Sequence, residues 1–420
     1  MRYLNYMLLL CFVLCVFSGC DREETVSEDS LIERKDFVLT RSEMDFIRQN
    51  NGFALEFFKE VSELDKGAST VISPLSVTID FGMVNNGAVG ETKDEIDKAL
   101  GYENGSTEGL NAFSQTMLKQ SAGVDPSTSI EIGNAAVINK SHVSLKESFT
   151  ESIKNFYDAE IIYKEFGKDD VMGLINSWCD KKTHGMIPRL LESQPLPYEY
   201  AHFLNAVYFK GIWSKRFKKS DSKKEDFTLA DGNRKQVKMM WQRDKFNYGS
   251  LPGICQTLCL PYGNQAYRMI ILLPYEGKTL ADIKESLDLD SWSTMVGQMR
   301  GSEVDVKIPV FETTTPLLHL VKPLKNLGIV KAFSIDDADF SGMADENLYI
   351  GDVLHKARIK VDEQGSEAAA VTDITMYTTS ASPQSVQPPI IEFHADHPFI
   401  YAITEISSGA IFFIGQYTGK

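Results

Sequence analysis

Glu363-Gln364-Gly365-Ser366-Glu367-Ala368-Ala369-Ala370-Val371-Thr372 runs on into Asp373-Ile374-Thr375-Met376-Tyr377-Thr378-Thr379-Ser380 near the C-terminus. Ala357-Arg358-Ile359-Lys360-Val361-Asp362 precedes it with the alternation of a strand, and Pro383, Pro388 and Pro389 follow, where regular structure cannot continue. The composition is that of an exposed loop. Its two parities nevertheless differ. Ser366, Ala368, Ala370, Thr372, Ile374 and Met376 are small or apolar, whereas Glu367 and Asp373 both fall on the other parity. A strand turns alternate residues to opposite faces, so this segment can join a sheet with one face buried and no charge trapped.

The remainder reads as one large mixed α+β domain from residue 42 to 420. An amphipathic helix runs from near Ser42 to Asp65, and a Pro-initiated helix follows Ser73. Strands are expected at Ile130–Ile138 and Phe203–Phe209, through much of Phe227–Leu273, and at Phe399–Ile406 and Ala410–Tyr417. Helices are expected at Leu145–Phe156, Val171–Leu191 and Leu317–Leu327.

Composition narrows the function. A net charge of -15, with no clustered basic stripe expected, argues against a nucleic-acid partner. Leu4 to Phe17 is an apolar run behind Arg2, too short to span a bilayer comfortably, and Ser18-Gly19-Cys20 follows. This resembles a bacterial lipoprotein signal over residues 1–19. Cys20 is then the lipidated residue, residues 20–41 an acidic tether, and the outer membrane or cell surface the expected location. Cys179, Cys255 and Cys259 are too few for a disulfide framework and read as buried small hydrophobes. No nucleophile elbow, zinc motif or dinucleotide fingerprint is present, and His394-Ala395-Asp396-His397 lacks a third ligand nearby. Ser73, Ser76 and His355 have the residue types of a hydrolase, but their apolar settings point to a structural cluster. Neither an enzyme nor a cofactor or metal is expected.

Several further stretches are similar, in order, to landmarks of the serpin family. They include Ile72-Ser73-Pro74-Leu75-Ser76, Asn176-x-Trp178, and Asn205-Ala206-x-Tyr208-Phe209-Lys210-Gly211-x-Trp213. Val237-x-Met239-Met240, Leu260-Pro261-Tyr262, His355-Lys356-Ala357 and His397-Pro398-Phe399 continue the series. The resemblance implies a fold of three β-sheets with eight to nine helices and an exposed reactive-centre loop, about residues 363–389. Glu363 to Thr372 then form the hinge, including Gly365, Ala369 and Val371. Ser73, Ser76, Asn205 and His355 form the central polar cluster, and Trp213 stands where the loop enters the sheet. The family's spacing from the hinge acid places the cleaved bond at Thr379-Ser380, with Met376 and Tyr377 as alternatives. The implied function is irreversible, suicide-substrate inhibition of serine or cysteine endopeptidases of elastase-like or broad specificity, by a monomer. The alternative is a non-inhibitory binding module. The basic partner expected for Glu363, just after Pro309, is replaced by Val310, so a missing latch and a loose hinge are expected.

Overall fold

Thr40 opens the first helix by accepting from the backbone of Glu43, whose carboxylate bonds back to the Thr40 N–H at 2.7 Å. This capping box starts α1 (Arg41–Ser62), whose Phe46, Phe53, Phe57 and Phe58 stripe is buried in the main core. The structure, a computed structural model, describes residues 33–102, 106–366 and 389–420. All of them fall in one unit, Ile32–Lys420. The expected signal, the lipidated Cys20 and most of the tether lie outside the described residues, as do Glu367 to Pro388.

After α1 the chain forms β1 (Thr70–Ile72), α2 (Pro74–Asn85), α3 (Gly90–Ala99), α4 (Thr107–Ser121), β2 (Thr128–Asn139), α5 (Glu147–Tyr157), β3 (Ala159–Lys164), α6 (Val171–Lys182) and β4 (Ala201–Ile212). Then come β5 (Lys223–Thr228), β6 (Arg234–Leu251), β7 (Cys255–Pro261), β8 (Tyr267–Pro274), α7 (Leu280–Ser286), α8 (Leu289–Gln298) and β9 (Arg300–Pro309). The last part contains β10 (Phe311–Thr314), β11 (Leu318–His319), α9 (Val321–Asn326), β12 (Leu354–His355), β13 (Arg358–Val361), β14 (Gly365–Ser366), β15 (Ile391–His394), β16 (Phe399–Glu405) and β17 (Ile411–Tyr417). Among the described residues this gives nine α-helices and three sheets, the mixed α+β architecture expected.

The largest sheet has nine strands, in the order β1-β17-β16-β8-β7-β6-β9-β15 with β5 beside β6. Its centre is apolar on both faces, and every residue of β16 and β17 is buried. A six-stranded sheet has the order β10-β13-β14-β4-β2-β3, and β11 pairs only with β12. Ile403, Ile414 and Phe58 belong to the main core, whereas Trp178, Ile175 and Leu204 form a smaller core where α6 meets the six-stranded sheet.

Two helices are shorter than expected. α6 stops at Lys182 because the Thr183 hydroxyl donates to Cys179 C=O, and His184 and Gly185 then take positive φ of 49° and 83°. Asn176 clasps the departing chain, accepting from the Leu190 and Leu191 N–H groups at 2.8 Å. α9 covers only Val321–Asn326, because Leu318 and His319 pair with β12 instead.

Candidate functional site

β14 is two residues long and joins β13 to β4. Val361 lies opposite Ser366, Gly365 opposite Ile212 and Ser366 opposite Gly211, antiparallel on both sides. Gly365 has φ +151°, and a Cβ there would lie 2.0 Å from the Gly211 carbonyl oxygen, so only glycine fits. Ser366 falls in the stretch expected to be an exposed loop, yet it is only 1% exposed, with its hydroxyl 2.7 Å from Tyr262 Oη. Tyr262 stacks on Trp213, whose indole N–H donates to Asp362 C=O at 2.9 Å and whose backbone N–H donates to Gln364 C=O at 2.8 Å. Trp213 therefore sits beside the two residues that bridge β13 and β4.

The missing latch is corrected by the structure. Glu363 is 2% exposed and ion-paired with Lys238 on β6, while the Ser222 hydroxyl donates to the same carboxylate oxygen at 2.8 Å. Val310 donates its backbone N–H to Lys238 C=O at 2.7 Å, so the cation comes from the neighbouring strand, beside the position that Val310 leaves apolar. Burial alone would raise the Glu363 carboxyl; the hydrogen bonds from Lys238 and Ser222 outweigh it and hold it below the ordinary carboxylate range. The sequence reading missed Lys238, although it occupies the open position of Val237-x-Met239-Met240.

Beyond β14, the edge of β4 from Ala201 to Lys210 and that of β13 from Arg358 to Lys360 pair with nothing among the described residues. A cleft of about 780 Å³ adjoins these strands, lined by Asp80, Thr183, Leu191, Asn205, Leu354 and His355, among others. The polar cluster lies here. Ser76 Oγ donates to Asn205 Oδ1 at 2.5 Å, Ser73 Oγ accepts from the Ser76 N–H at 3.2 Å, and Asn205 Nδ2 donates to Asn134 Oδ1 at 2.6 Å. His355 Nε2 accepts the backbone N–H of Ser73 at 3.2 Å. The imidazole lone pair is therefore committed to an amide rather than to a serine hydroxyl, which is not the geometry of a nucleophile and its base.

Two neutral groups face this cleft. Burial pushes His355 down to about 4. Burial also pushes Asp80, one turn beyond Ser76 on α2, up to about 8, and its buried Oδ1 has no hydrogen-bond partner among the described residues. The Cys179 thiol is pushed up to about 12 by burial and by Asp80. Cys179, Cys255 and Cys259 are free and buried. Among the described residues no cluster that could hold a metal occurs; His394 contacts Asp305 and His397 contacts Asp396. The candidate cleavage residues Met376, Tyr377, Thr379 and Ser380 lie outside the described residues, as do hinge residues Glu367 to Thr372.

Known proteins are similar to this chain over most of its length. Residues 48–419 match the family model Serpin (serine protease inhibitor). Iripin-8 of Ixodes ricinus is 32% identical over 379 residues, covering 88% of this chain and 92% of that protein. The leukocyte elastase inhibitor of Homo sapiens is 32% identical over 381 residues, covering 88% and 98%. The native crystal structure of tengpin, a thermophilic serpin, superposes with a TM-score of 0.81 at 28% identity, covering 92% of this chain and 96% of that one.

The latch has a defined pH dependence. A depressed carboxyl contributes stability above its unfolded value of 4.5 and loses it as pH falls through its folded value. Amide exchange at Gly365 and Trp213 is therefore expected to accelerate below that point, and Glu363→Gln to remove the dependence. Asp80 and His355 have opposite linkages. Neutral His355 loses stability as pH falls from 6.5 to about 4, and protonated Asp80 loses it as pH rises from 3.8 to about 8. Each slope is about 1.4 kcal/mol per pH unit, so the pair nearly cancels where they overlap. Urea midpoints measured against pH should rise with pH in Asp80→Asn and fall with pH in His355→Gln, relative to the unsubstituted protein.

Proposed function

The chain belongs to the serpin family, and on that premise we propose that it traps endopeptidases by cleavage of its loop and insertion of the cleaved strand between β4 and β13. The observation that carries the proposal is β14, a strand already begun between two otherwise unpaired edges. A cleaved strand inserted in the register of Val361–Ser366 and Ser366–Gly211 would set Ala368 opposite Phe209 and Ile359, Ala370 opposite Val207 and Ala357, and Thr372 opposite Asn205 and His355 of the polar cluster. On the outer face the same register would set Glu367 between Lys210 and Lys360. Insertion in that register would turn the small parity inward and bring the first charge to two cations.

The protease nucleophile attacks the carbonyl of the residue before the cut and forms an acyl-enzyme, releasing the amine that begins the downstream chain. Insertion then carries the acylated protease away from the loop's starting position before water can release it. About a dozen new ladder hydrogen bonds at roughly 0.5–1.5 kcal/mol each supply on the order of 10 kcal/mol. The bond is Thr379-Ser380, with Met376 and Tyr377 as alternatives, and elastase-like or broad-specificity serine or cysteine endopeptidases are the target class. The human relative's name, leukocyte elastase inhibitor, supports that class. The protein acts as a monomer rather than as an enzyme. As a bacterial lipoprotein it is held at the outer membrane or cell surface through Cys20. The support for that anchor is Phe17-Ser18-Gly19-Cys20, and the expected result is palmitate labelling lost in Cys20→Ala.

Mixing the protein with elastase-, chymotrypsin-, subtilisin- and papain-like proteases should give an SDS-stable complex with at least one, its cleaved bond located by mass. Cleavage by all without any stable complex would overturn the proposal. Thr372→Arg places a charge opposite Asn205 and His355, and should raise the number of inhibitor molecules consumed per protease trapped by about tenfold or more. An unchanged ratio would exclude insertion in this register.

A further inference from the structure

Residues 214–245 run against the charge of the rest of the chain. They hold eleven Lys or Arg and five Asp or Glu, a net +6 within a chain of -15. The expected absence of a basic cluster is therefore corrected: the positive residues are spread along a turn and two strands, and neighbouring acids mask them in a linear scan.

The fold places this segment against the hinge. The Phe217 N–H donates to Glu363 C=O at 3.0 Å, the Ser222 hydroxyl donates to the Glu363 carboxylate at 2.8 Å, and Lys238 is ion-paired with it. The segment's own acids are already engaged. Asp244 pairs with Lys215, Glu225 with Lys307 and Asp226 with Arg234. Asp231 accepts from the Asn233 N–H, and Asp221 from the Ser220 hydroxyl. Lys219, in the turn after Phe217, and Lys223 and Lys224, at the start of β5, are exposed. None of the three is in an ion pair among the described residues. Lys224 lies directly opposite Lys238 in the β5–β6 ladder. Like charges at such positions repel. Glu363 offsets Lys238, and nothing on the described surface offsets Lys224.

We propose that Lys219, Lys223 and Lys224 form a docking surface for an acidic face of the endopeptidase that engages the loop. This rests on the inhibitory reading above. The chain leaves the described fold at Ser366, beside Phe217, Ser222 and Lys238, and re-enters it at β15, which pairs with β9 next to β6 in the sheet that carries β5, so both ends of the loop are anchored close to these cations. Unpaired surface cations act chiefly on the rate of encounter, and their reach shortens with salt. The surface therefore selects among proteases that cut the same bond, favouring those with carboxylates around the substrate cleft.

The test uses the full chain, the triple variant Lys219→Glu/Lys223→Glu/Lys224→Glu, and the panel protease that cleaves the loop fastest. That protease is used before and after succinylation, which turns its lysines into carboxylates; both forms are normalised on a short peptide. The readout is the second-order rate of loss of intact loop, at low and high salt. Succinylation should raise the ratio of unsubstituted to variant rate about tenfold at low salt, with the gain lost at high salt. An equal ratio for both protease forms overturns the surface. Because loop cleavage is read whether or not a stable complex follows, cleavage without trapping would sink the inhibitory reading alone, and the charge dependence would still decide the surface. The neutral variant Lys219→Gln/Lys223→Gln/Lys224→Gln, which introduces no new charge, should show a smaller change in the same direction. Dextran sulfate binding lost in both variants, with no dependence on protease charge, would overturn the proposal and assign the surface to a polyanion.

Discussion

Two β-strand edges meet at a single two-residue bridge, and the rest of the molecule is built around that constraint. Strand edges carry unpaired N–H and C=O groups and normally find partners. Here β4 is fully laddered to β2 on one side, from Thr128–Gly211 to Ile138–Ala201, but on its other side the described residues offer it only Gly365 and Ser366. β13 is likewise laddered to β10, and only Val361 reaches β14. The bridge is held by fit and by charge together. Gly365 passes where no side chain fits, Ser366 bonds Tyr262, Trp213 grips Asp362 and Gln364, and Glu363 is clamped by Lys238 and Ser222.

What lies beneath β4 is polar, and it is connected. From Asn205 a hydrogen-bonded chain runs through Asn134 to the Tyr157 carbonyl, and the Tyr157 hydroxyl donates to Asn111, which exchanges hydrogen bonds with Asn86 on α2's C-terminal end. Ser76 and Ser73 close the other end through His355. Such a network ties α2, α4 and β2 to the edge of β4 while leaving the cleft side of Asn205 toward β12. Satisfied polar groups fix position more sharply than apolar contact does, since each displaced member leaves a buried donor or acceptor unpaired. A shifted β4 would break several of these bonds at once. Movement is better accommodated on the β12–β13 side, where His355 contributes one bond, from the Ser73 amide, and β13 keeps only its four-residue ladder to β10.

The parts legible in the sequence were those with strong periodicity or a tightly constrained motif. α1, α2, β4 and the terminal hairpin of β16 and β17 stood out because their apolar patterns are long and uninterrupted. Less legible were elements whose faces are mostly polar. β6 runs unbroken from Arg234 to Leu251, but Gln242-Arg243-Asp244-Lys245 interrupts its apolar pattern. β6 is held by ten register pairs to β9, four of them at these residues, and by ion pairs of Arg243 with Glu303 and Lys215 with Asp244, none of them visible locally. α4, α7, α8, β3 and β15 were missed for similar reasons. The latch failed as a sequence inference because it was sought at one chain position, when the requirement is for a cation at one point in space. Val310 and Lys238 are joined by a backbone hydrogen bond, so the side chain of either strand can reach Glu363.

That substitution in space links the hinge to its surroundings. A cation following Pro309 would belong to the chain's crossing from β9 to β10. Lys238 instead belongs to β6 and faces Lys224 on β5, so the charge that clamps Glu363 is part of a cationic surface and not an isolated partner. Glu363 is buried and its carboxylate is stabilised chiefly by this clamp and by Ser222, so loss of Lys238 would leave a poorly compensated buried charge, the costlier half of breaking such a pair. Conversely, an anion competing for Lys238 from outside would weaken the clamp without touching the loop. Under the proposed mechanism the seating of the first inserted residues is thus set by a balance of charges at the surface, while the small residues after Ser366 decide whether the strand can continue.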